Sequence, residues 1–188
     1  MKEPILEPIL RWFRLKQVLP YLRQYPNCEL LDIGCGWEAK LLMAVEPYIR
    51  TGIGIDFKAP SINSKKIKTV SLTLYDKLPF NDNSFDFITM LAVMEHLEND
   101  ENILRECARL LRPGGGLLIT VPSWYAKPVL EFLSYRMNLI NPEEIKDHKR
   151  YYNREDLMSL VEGVVGLRAA EHRYFQWKFN NRLFVRVQ

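Results

Sequence analysis

Short apolar runs alternate along this chain with stretches in which apolar residues recur at helical spacing. The runs 30–33, 51–56 and 85–91 are almost continuously hydrophobic, which is typical of parallel strands that are buried on both faces. The helical stretch 99–111 ends at an Arg-Pro-Gly-Gly-Gly stop, and a further strand, 116–121, follows it. This β-α-β alternation predicts a doubly wound, mostly parallel sheet in an α/β, Rossmann-like domain.

Two connections depart from this alternation. Only 11 residues, 57–67, separate the second strand from the next apolar stretch, so we expect a short or irregular crossover there. Aromatic residues, prolines and charges crowd residues 122–152, which indicates a lid-like insertion over the mouth of a site. Asn153 then begins a helix as its N-cap, and the runs 168–175 and 182–187 alternate like the strands of a closing hairpin.

The first residues, 1–26, are predicted to form an amphipathic helical segment that is interrupted at Pro20. Its cationic side could lie on a membrane. Glu3 and Glu7 dilute that charge, however, and favour packing over the sheet edge or over the mouth of a site. With this segment and the insertion included, residues 1–188 are expected to form one domain.

Composition and charge exclude several classes of protein. The formal net charge of +3 is mild and the basic residues form no stripe, so we expect no nucleic-acid partner. The three cysteines include no Cys-x-x-Cys pair, which argues against a zinc site and against a disulfide framework. No apolar run reaches the roughly 18 residues of a membrane span, and no secretory leader pattern opens the chain. We therefore expect a cytoplasmic protein without a membrane span.

A strand that runs into paired glycines carries the candidate chemistry. Gly34-x-Gly36-x-x-Ala39 fits a cofactor-binding turn, and Asp56 lies 20 residues beyond Gly36, where an acid that binds ribose is expected. Asp32, just before the turn, would repel a pyrophosphate but attract the ammonium of a methionine moiety. The pattern thus favours S-adenosylmethionine over NAD, and an NAD(P)-binding oxidoreductase is the alternative.

Five sequence blocks follow one another in a specific order: L-L-D-I-G-C-G, G-I-G-I-D-F, L-P-F-N-D-N-S-F-D-F-I, M-E-H-L and L-L-R-P-G-G-G-L-L-I-T-V-P. Together with the later H-K-R-Y-Y-N-R-E-D-L, they resemble the class I S-adenosylmethionine-dependent methyltransferases, specifically the small type 11 group. The resemblance covers roughly residues 30–167. It implies a seven-stranded sheet of order 3-2-1-4-5-7-6 with strand 7 antiparallel.

The same resemblance implies a set of residues that bind S-adenosylmethionine and its product, S-adenosylhomocysteine. Asp32 and the two glycines would hold the methionine end. Asp56 would bind both ribose hydroxyls, and Phe57 would lie beside the adenine. Leu91 and Ala92 would form the floor below the sulfonium. The complete set is Asp32, Gly34, Cys35, Gly36, Asp56, Phe57, Tyr75, Asp76, Leu91 and Ala92.

Two positions depart from the family pattern. Glu38 stands where the group has its third glycine, and it should crowd the start of the helix. Leu74 stands where the group has an aspartate that reads the adenine amine, so the backbone of Tyr75 or the carboxylate of Asp76 would take over that role. These departures leave a second alternative open, namely a non-catalytic partner subunit that keeps the methyltransferase fold.

Methyl transfer from a sulfonium is a direct displacement, so the enzyme mainly has to place an O, N or C nucleophile in line and exclude water. A small-molecule or glycan-like acceptor is expected. His96 and His148 are the candidate bases or acceptor-orienting residues, with structural roles as their alternatives. Glu95 and His96 resemble part of a metal-assisted pattern in ubiquinone-type O-methyltransferases. Because Ala92 replaces the further acid of that pattern, no metal is expected.

Overall fold

Seven strands form one sheet in the order β3-β2-β1-β4-β5-β7-β6 in the computed structural model, which describes residues 7–74, 77–135 and 148–188. Strand β7 runs antiparallel to both of its neighbours, and all other pairs are parallel. The predicted strand order and the antiparallel last strand are therefore confirmed. The strands are β1 (Cys28–Ile33), β2 (Ile49–Asp56), β3 (Ile67–Ser71), β4 (Phe85–Leu91), β5 (Leu111–Pro122), β6 (Leu167–Phe175) and β7 (Asn180–Val187).

Helices cover both faces of this sheet. The described α-helices are α1 (Glu7–Leu22), α2 (Lys40–Val45), α3 (Asp100–Leu110), α4 (Ala126–Tyr135) and α5 (Arg154–Glu162), and short 3-10 turns span Glu46–Tyr48 and Met94–His96. At the start of α5, the Asn153 side chain accepts a hydrogen bond of 2.7 Å from the Asp156 amide, as its N-cap position predicts. Among the described helices, none is long and apolar enough to cross a membrane.

The central strands β1 and β4 send side chains alternately into two hydrophobic clusters. Leu31 and Ile88 belong to the cluster that α3 and α5 cover, whereas Leu30 and Phe87 belong to the cluster beneath α1 and α2. All four side chains are buried. This burial on both faces explains why these strands read as continuous apolar runs instead of alternating ones.

The sheet register brings three strand ends together. Asp32 on β1 pairs with Gly54 on β2 and with Thr89 on β4. Parallel strands share one carboxyl edge, and ligands of open α/β sheets bind in the crevice outside that edge. The residues that follow β1, β2 and β4 therefore line one region.

Two details of the predicted elements are wrong. Strand β5 begins at Leu111 instead of residue 116, because Leu111 already pairs with Phe85 and the glycine-rich stretch continues as extended chain. Helix α1 passes through Pro20 without interruption. Pro20 lies in the last turn, where a missing N–H removes one bond and leaves the rest of the helix intact.

The remaining predicted segments are only partly described. Helix α1 packs on the sheet, with Val18 and Leu22 buried and the Tyr21 ring 4.5 Å from the Phe184 ring on β7. No helix lies in the described connection between β2 and β3, as its short length predicts. Within the predicted lid, 136–147 lie outside the described residues, and the lid function stays a prediction.

Candidate functional site

The turn after β1 is shaped by its two glycines. Gly34 and Gly36 have φ values of 75° and 71°, in the left-handed region that favours glycine. The amides of Gly34 and Cys35 donate to the Ile55 carbonyl oxygen at 2.8 and 3.1 Å, which ties the turn to β2. A Cβ atom at Gly34 would overlap the Val93 side chain, whereas no described atom lies within 4 Å of one at Gly36. Gly36 thus borders open space, where a ligand can approach bare backbone.

Asp32 stands immediately before this turn as a buried carboxylate. The Thr89 hydroxyl donates to its Oδ1 at 2.7 Å. Its Oδ2 is buried and accepts no hydrogen bond from the described residues. Burial raises the pKa of Asp32 to about 7; the charge of Asp56 also raises it, and the Thr89 hydrogen bond opposes the shift. A cation placed at Oδ2 would offset the unfavourable burial of the charge and favour the ionised carboxylate.

Asp56 ends β2 and closes the other side of the turn. Its Oδ2 accepts from the Gly36 amide at 3.1 Å, and its Oδ1 accepts from the Lys58 amide at 2.8 Å. These two bonds fix the orientation of the carboxylate. Each ionised oxygen can accept more than one hydrogen bond, so a diol could still bind to both. The sequence-predicted pair of acids therefore flanks the glycine turn from two neighbouring strands.

A second group of polar side chains lies just beyond β4. The imidazole centroids of His96 and His148 are 4.9 Å apart in an edge-on arrangement. With the buried Glu95, they place three potential ligand atoms within 4.8 Å of one another. The amide of Lys149 donates to the Glu95 carbonyl oxygen at 2.7 Å, which attaches the last part of the predicted lid to this loop.

Comparisons with known proteins indicate a methyltransferase domain. Residues 31–119 match a family model described as "Methyltransferase domain". A Mycobacterium tuberculosis protein named "Probable S-adenosylmethionine-dependent methyltransferase" is 31% identical over 160 residues, which are 80% of this chain and 53% of that protein. A solved S-adenosylmethionine-dependent methyltransferase from Mesorhizobium loti has the same fold, with a TM-score of 0.68 at 14% identity, covering 94% of this chain and 97% of that one.

The domain match, this relative and the shared fold support a class I S-adenosylmethionine-dependent methyltransferase domain in this chain. The family and its fold imply S-adenosylmethionine as the cofactor. A further relative, a ubiquinone biosynthesis O-methyltransferase of Vibrio atlanticus, is 23% identical over 171 residues, covering 82% of this chain and 72% of the relative. The chain spans about half the length of the Mycobacterium relative.

Phe57, for which the resemblance implies a place beside the adenine, follows Asp56 and is largely exposed. The Lys58 ammonium lies 4.8 Å from the centre of its ring. Leu74 is partly buried against the hydrophobic core, so its side chain is occupied by packing. Tyr75 and Asp76, the predicted adenine readers, lie outside the described residues.

Leu91 ends β4 at the same edge of the sheet, and Ala92 follows it; their role as the floor of the cofactor site stays a prediction. Leu91 is buried. Ala92 has a φ of 56°, and its amide donates to the Thr120 carbonyl oxygen of β5 at 2.8 Å. This bond fixes the sharp turn that directs the chain from β4 towards Glu95 and His96.

Cys35 and Glu38 have roles within the methyltransferase fold itself. The Cys35 thiol packs against Gly54, and burial raises its pKa to about 12, so the side chain acts as a small core residue. Glu38 forms an ion pair with Lys40 at the start of α2, which accommodates it where the family has glycine.

Sequence reasoning missed two contributors. Thr89 is the single polar residue with a buried side chain in the apolar run of β4, and that signal could have indicated its partner Asp32. Tyr152 donates to the buried Asp100 carboxylate at 2.8 Å, and Arg150 binds the same oxygen at 2.7 Å. Burial, followed by the bond to Asp100, raises the pKa of Tyr152. These bonds attach 150–152 to the start of α3.

Proposed function

We propose that this protein transfers the methyl group of S-adenosylmethionine to an O, N or C atom of a small-molecule or glycan-like acceptor by in-line displacement. The buried, half-satisfied carboxylate of Asp32 carries this proposal. Taking a carboxylate out of water without a partner is unfavourable, so its position calls for a cation. The ammonium of the cofactor's methionine moiety supplies that cation beside the open backbone of Gly36.

Asp56 supports the same orientation of the cofactor. Its carboxylate is held by two backbone amides at the end of β2, which suits it to accept the ribose hydroxyls. With Asp32 binding the amino acid end and Asp56 the ribose, the sulfonium would lie between them, near the end of β4. A pyrophosphate in the same place would face two carboxylates, which disfavours the oxidoreductase alternative.

Exposed aromatic side chains surround this edge and suit an acceptor with an apolar or ring portion. Trp37 follows the glycine turn, and Trp124 and Tyr125 follow β5; all three have more than half of their surface exposed. Aromatic side chains provide large contact areas for flat or apolar ligands. The ubiquinone biosynthesis O-methyltransferase among the relatives is consistent with such an acceptor.

His96 and His148 are the proposed general base and acceptor-orienting residue. For a hydroxyl acceptor, one imidazole would take the hydroxyl proton while the oxygen attacks the methyl carbon. The C–S bond then breaks, and its electron pair stays on sulfur in S-adenosylhomocysteine. A well-placed base contributes about 10²–10⁴-fold to the rate.

Calorimetric titration with S-adenosylhomocysteine, and separately with NAD⁺, tests the cofactor assignment. We expect S-adenosylhomocysteine to bind one per chain and NAD⁺ not to bind. Binding of NAD⁺ alone would support the oxidoreductase alternative. Binding of neither would support a non-catalytic partner subunit. Incubation with a methyl-labelled cofactor and an extract of small metabolites, followed by mass spectrometry, would then identify the acceptor.

A further inference from the structure

Glu95, His96 and His148 bring three metal-binding side chains to one point beside the proposed methyl-transfer site. We propose that these three residues bind one divalent transition-metal ion of the zinc class. Each offers one ligand atom, and the three atoms lie within 4.8 Å of one another. Two of the three histidines in the chain meet here, although they come from segments far apart in sequence.

The donor set fits such an ion. Two imidazoles and one carboxylate form the ligand set of many catalytic zinc sites, in which a further position stays open for water or substrate. Zn–N and Zn–O bonds are about 2.0–2.2 Å, so the donors would bind after moving inward by less than about 1 Å. Magnesium prefers six oxygen ligands, so this set discriminates against it.

Neighbouring groups hold two of the ligands in place. His148 Nδ1 lies 3.2 Å from the Tyr151 hydroxyl. In the proposed site Nε2 would be the ligand atom. Histidines that bind metals commonly form such a hydrogen bond through the other ring nitrogen. The backbone carbonyl of Glu95 accepts from the amides of Lys149, at 2.7 Å, and Arg150, at 3.4 Å. The two segments that carry the ligands are therefore joined by main-chain bonds.

The local charge also favours a cation. Lys149 lies 3.8 Å from Glu98, and Arg150 lies 2.7 Å from Asp100, so both bases already have acidic neighbours. The Glu95 carboxylate is a further acid beside the two imidazoles. Glu95 is buried, where an additional positive charge has its strongest effect.

The position of the cluster connects it to the reaction. Val93, whose side chain abuts Gly34, lies in the same short loop as Glu95 and His96. An ion there would offer its open position to an oxygen of the acceptor and favour loss of the hydroxyl proton to water. With the ion bound, the two imidazoles would be ligands, and proton removal by an imidazole would apply only to the metal-free protein. This consequence rests on the proposed function, and it favours a hydroxyl acceptor over a carbon one. The proposed site also departs from the sequence-based expectation of no metal. Ala92 stands where the metal-assisted pattern has an acid, and His148 would supply the third ligand instead.

Calorimetric titration of the untagged, metal-free protein with Zn²⁺ tests the site, with Mg²⁺ as the comparison ion. We expect one Zn²⁺ per chain and much weaker Mg²⁺ binding. His96→Gln, His148→Gln and Glu95→Gln should each weaken Zn²⁺ binding by about tenfold or more. His172→Gln is the matched control, because His172 lies on β6 and bonds to Asn181 at 2.9 Å. It should bind Zn²⁺ like the wild type.

Thermal unfolding and S-adenosylhomocysteine binding show whether each variant is folded, and His148→Gln is decisive because its side chain is only half-buried. Co²⁺ bound to the wild type should show visible absorption typical of tetrahedral coordination, and His148→Gln should lose it. Unchanged Zn²⁺ affinity in folded His148→Gln, or no Zn²⁺ binding by the wild type, would overturn the site. Zn²⁺ binding without S-adenosylhomocysteine binding would instead contradict the proposed function alone.

Discussion

Replacement of Asp32 by asparagine separates the charge of this residue from its shape. The pKa of Asp32 is raised from 3.8 to about 7 in the folded protein, mainly by burial. Between these values the unfolded chain loses the proton first, so the free energy of unfolding falls as the pH rises. Each pKa unit corresponds to 1.36 kcal/mol, which gives a loss of up to about 4 kcal/mol between about pH 4 and pH 7.

Asp32→Asn lacks this ionisation and should not show that loss. Urea unfolding across the same pH range, for both proteins, measures the effect as a difference, so other titrating groups cancel. Asp32→Asn should become more stable relative to wild type as the pH rises towards 7. If the free energies of unfolding of the two proteins changed with pH in parallel, ionisation of Asp32 would not destabilise the fold.

Cofactor binding should respond in the opposite direction. The ammonium of S-adenosylhomocysteine needs the ionised carboxylate, so wild-type affinity should fall by up to about tenfold per pH unit below about pH 7. Asp32→Asn should bind about 10–100-fold more weakly at neutral pH, because a hydrogen bond to a charged group contributes about 1.5–3 kcal/mol. Its affinity should also be independent of pH in this range. Equal affinities in calorimetry would show that the ammonium lies elsewhere.

Substitutions at Thr89, in the glycine turn and at Tyr152 test neighbouring features. Thr89→Val should raise the pKa of Asp32 further and shift the pH dependence of S-adenosylhomocysteine binding upward in calorimetry, whereas Thr89→Ser should retain the wild-type profile. Gly34→Ala should lower the free energy of urea unfolding by about 2–4 kcal/mol, because it combines a left-handed backbone with a clash against Val93. Gly36→Ala should lower it by only about 1 kcal/mol, because no side chain lies close to Gly36. Equal losses in the two variants would contradict this difference between the two glycines. Tyr152→Phe should cost about 1 kcal/mol in unfolding without changing cofactor affinity.

The convergence of the two acids on the glycine turn was predictable because it depends on local sequence and on one topological rule. Asp32 and Asp56 each end a short apolar run, and the carboxyl ends of parallel strands meet at one edge. Paired glycines between strand and helix mark the tight turn. Thr89 was missed because its role depends on the register between β1 and β4, which residue patterns do not determine.

The group formed by Glu95, His96 and His148 depends on contacts between distant segments. His148 reaches His96 only because the chain after β5 returns to the loop beyond β4, where Lys149 bonds to Glu95. No periodicity in residues 122–152 specifies that path. The beginning of β5 was misplaced for a related reason, since pairing of Leu111 with β4 overrides the local preference of the glycine-rich stretch.

A crystal structure of the complex with S-adenosylhomocysteine would show whether Asp32 and Asp56 hold the cofactor. We predict that the amino group of the ligand lies within hydrogen-bonding distance of the Asp32 carboxylate. The ligand should contact the main chain of Gly36, and both ribose hydroxyls should bind to Asp56. A ligand bound in the reverse orientation, or one that touches neither carboxylate, would contradict the account.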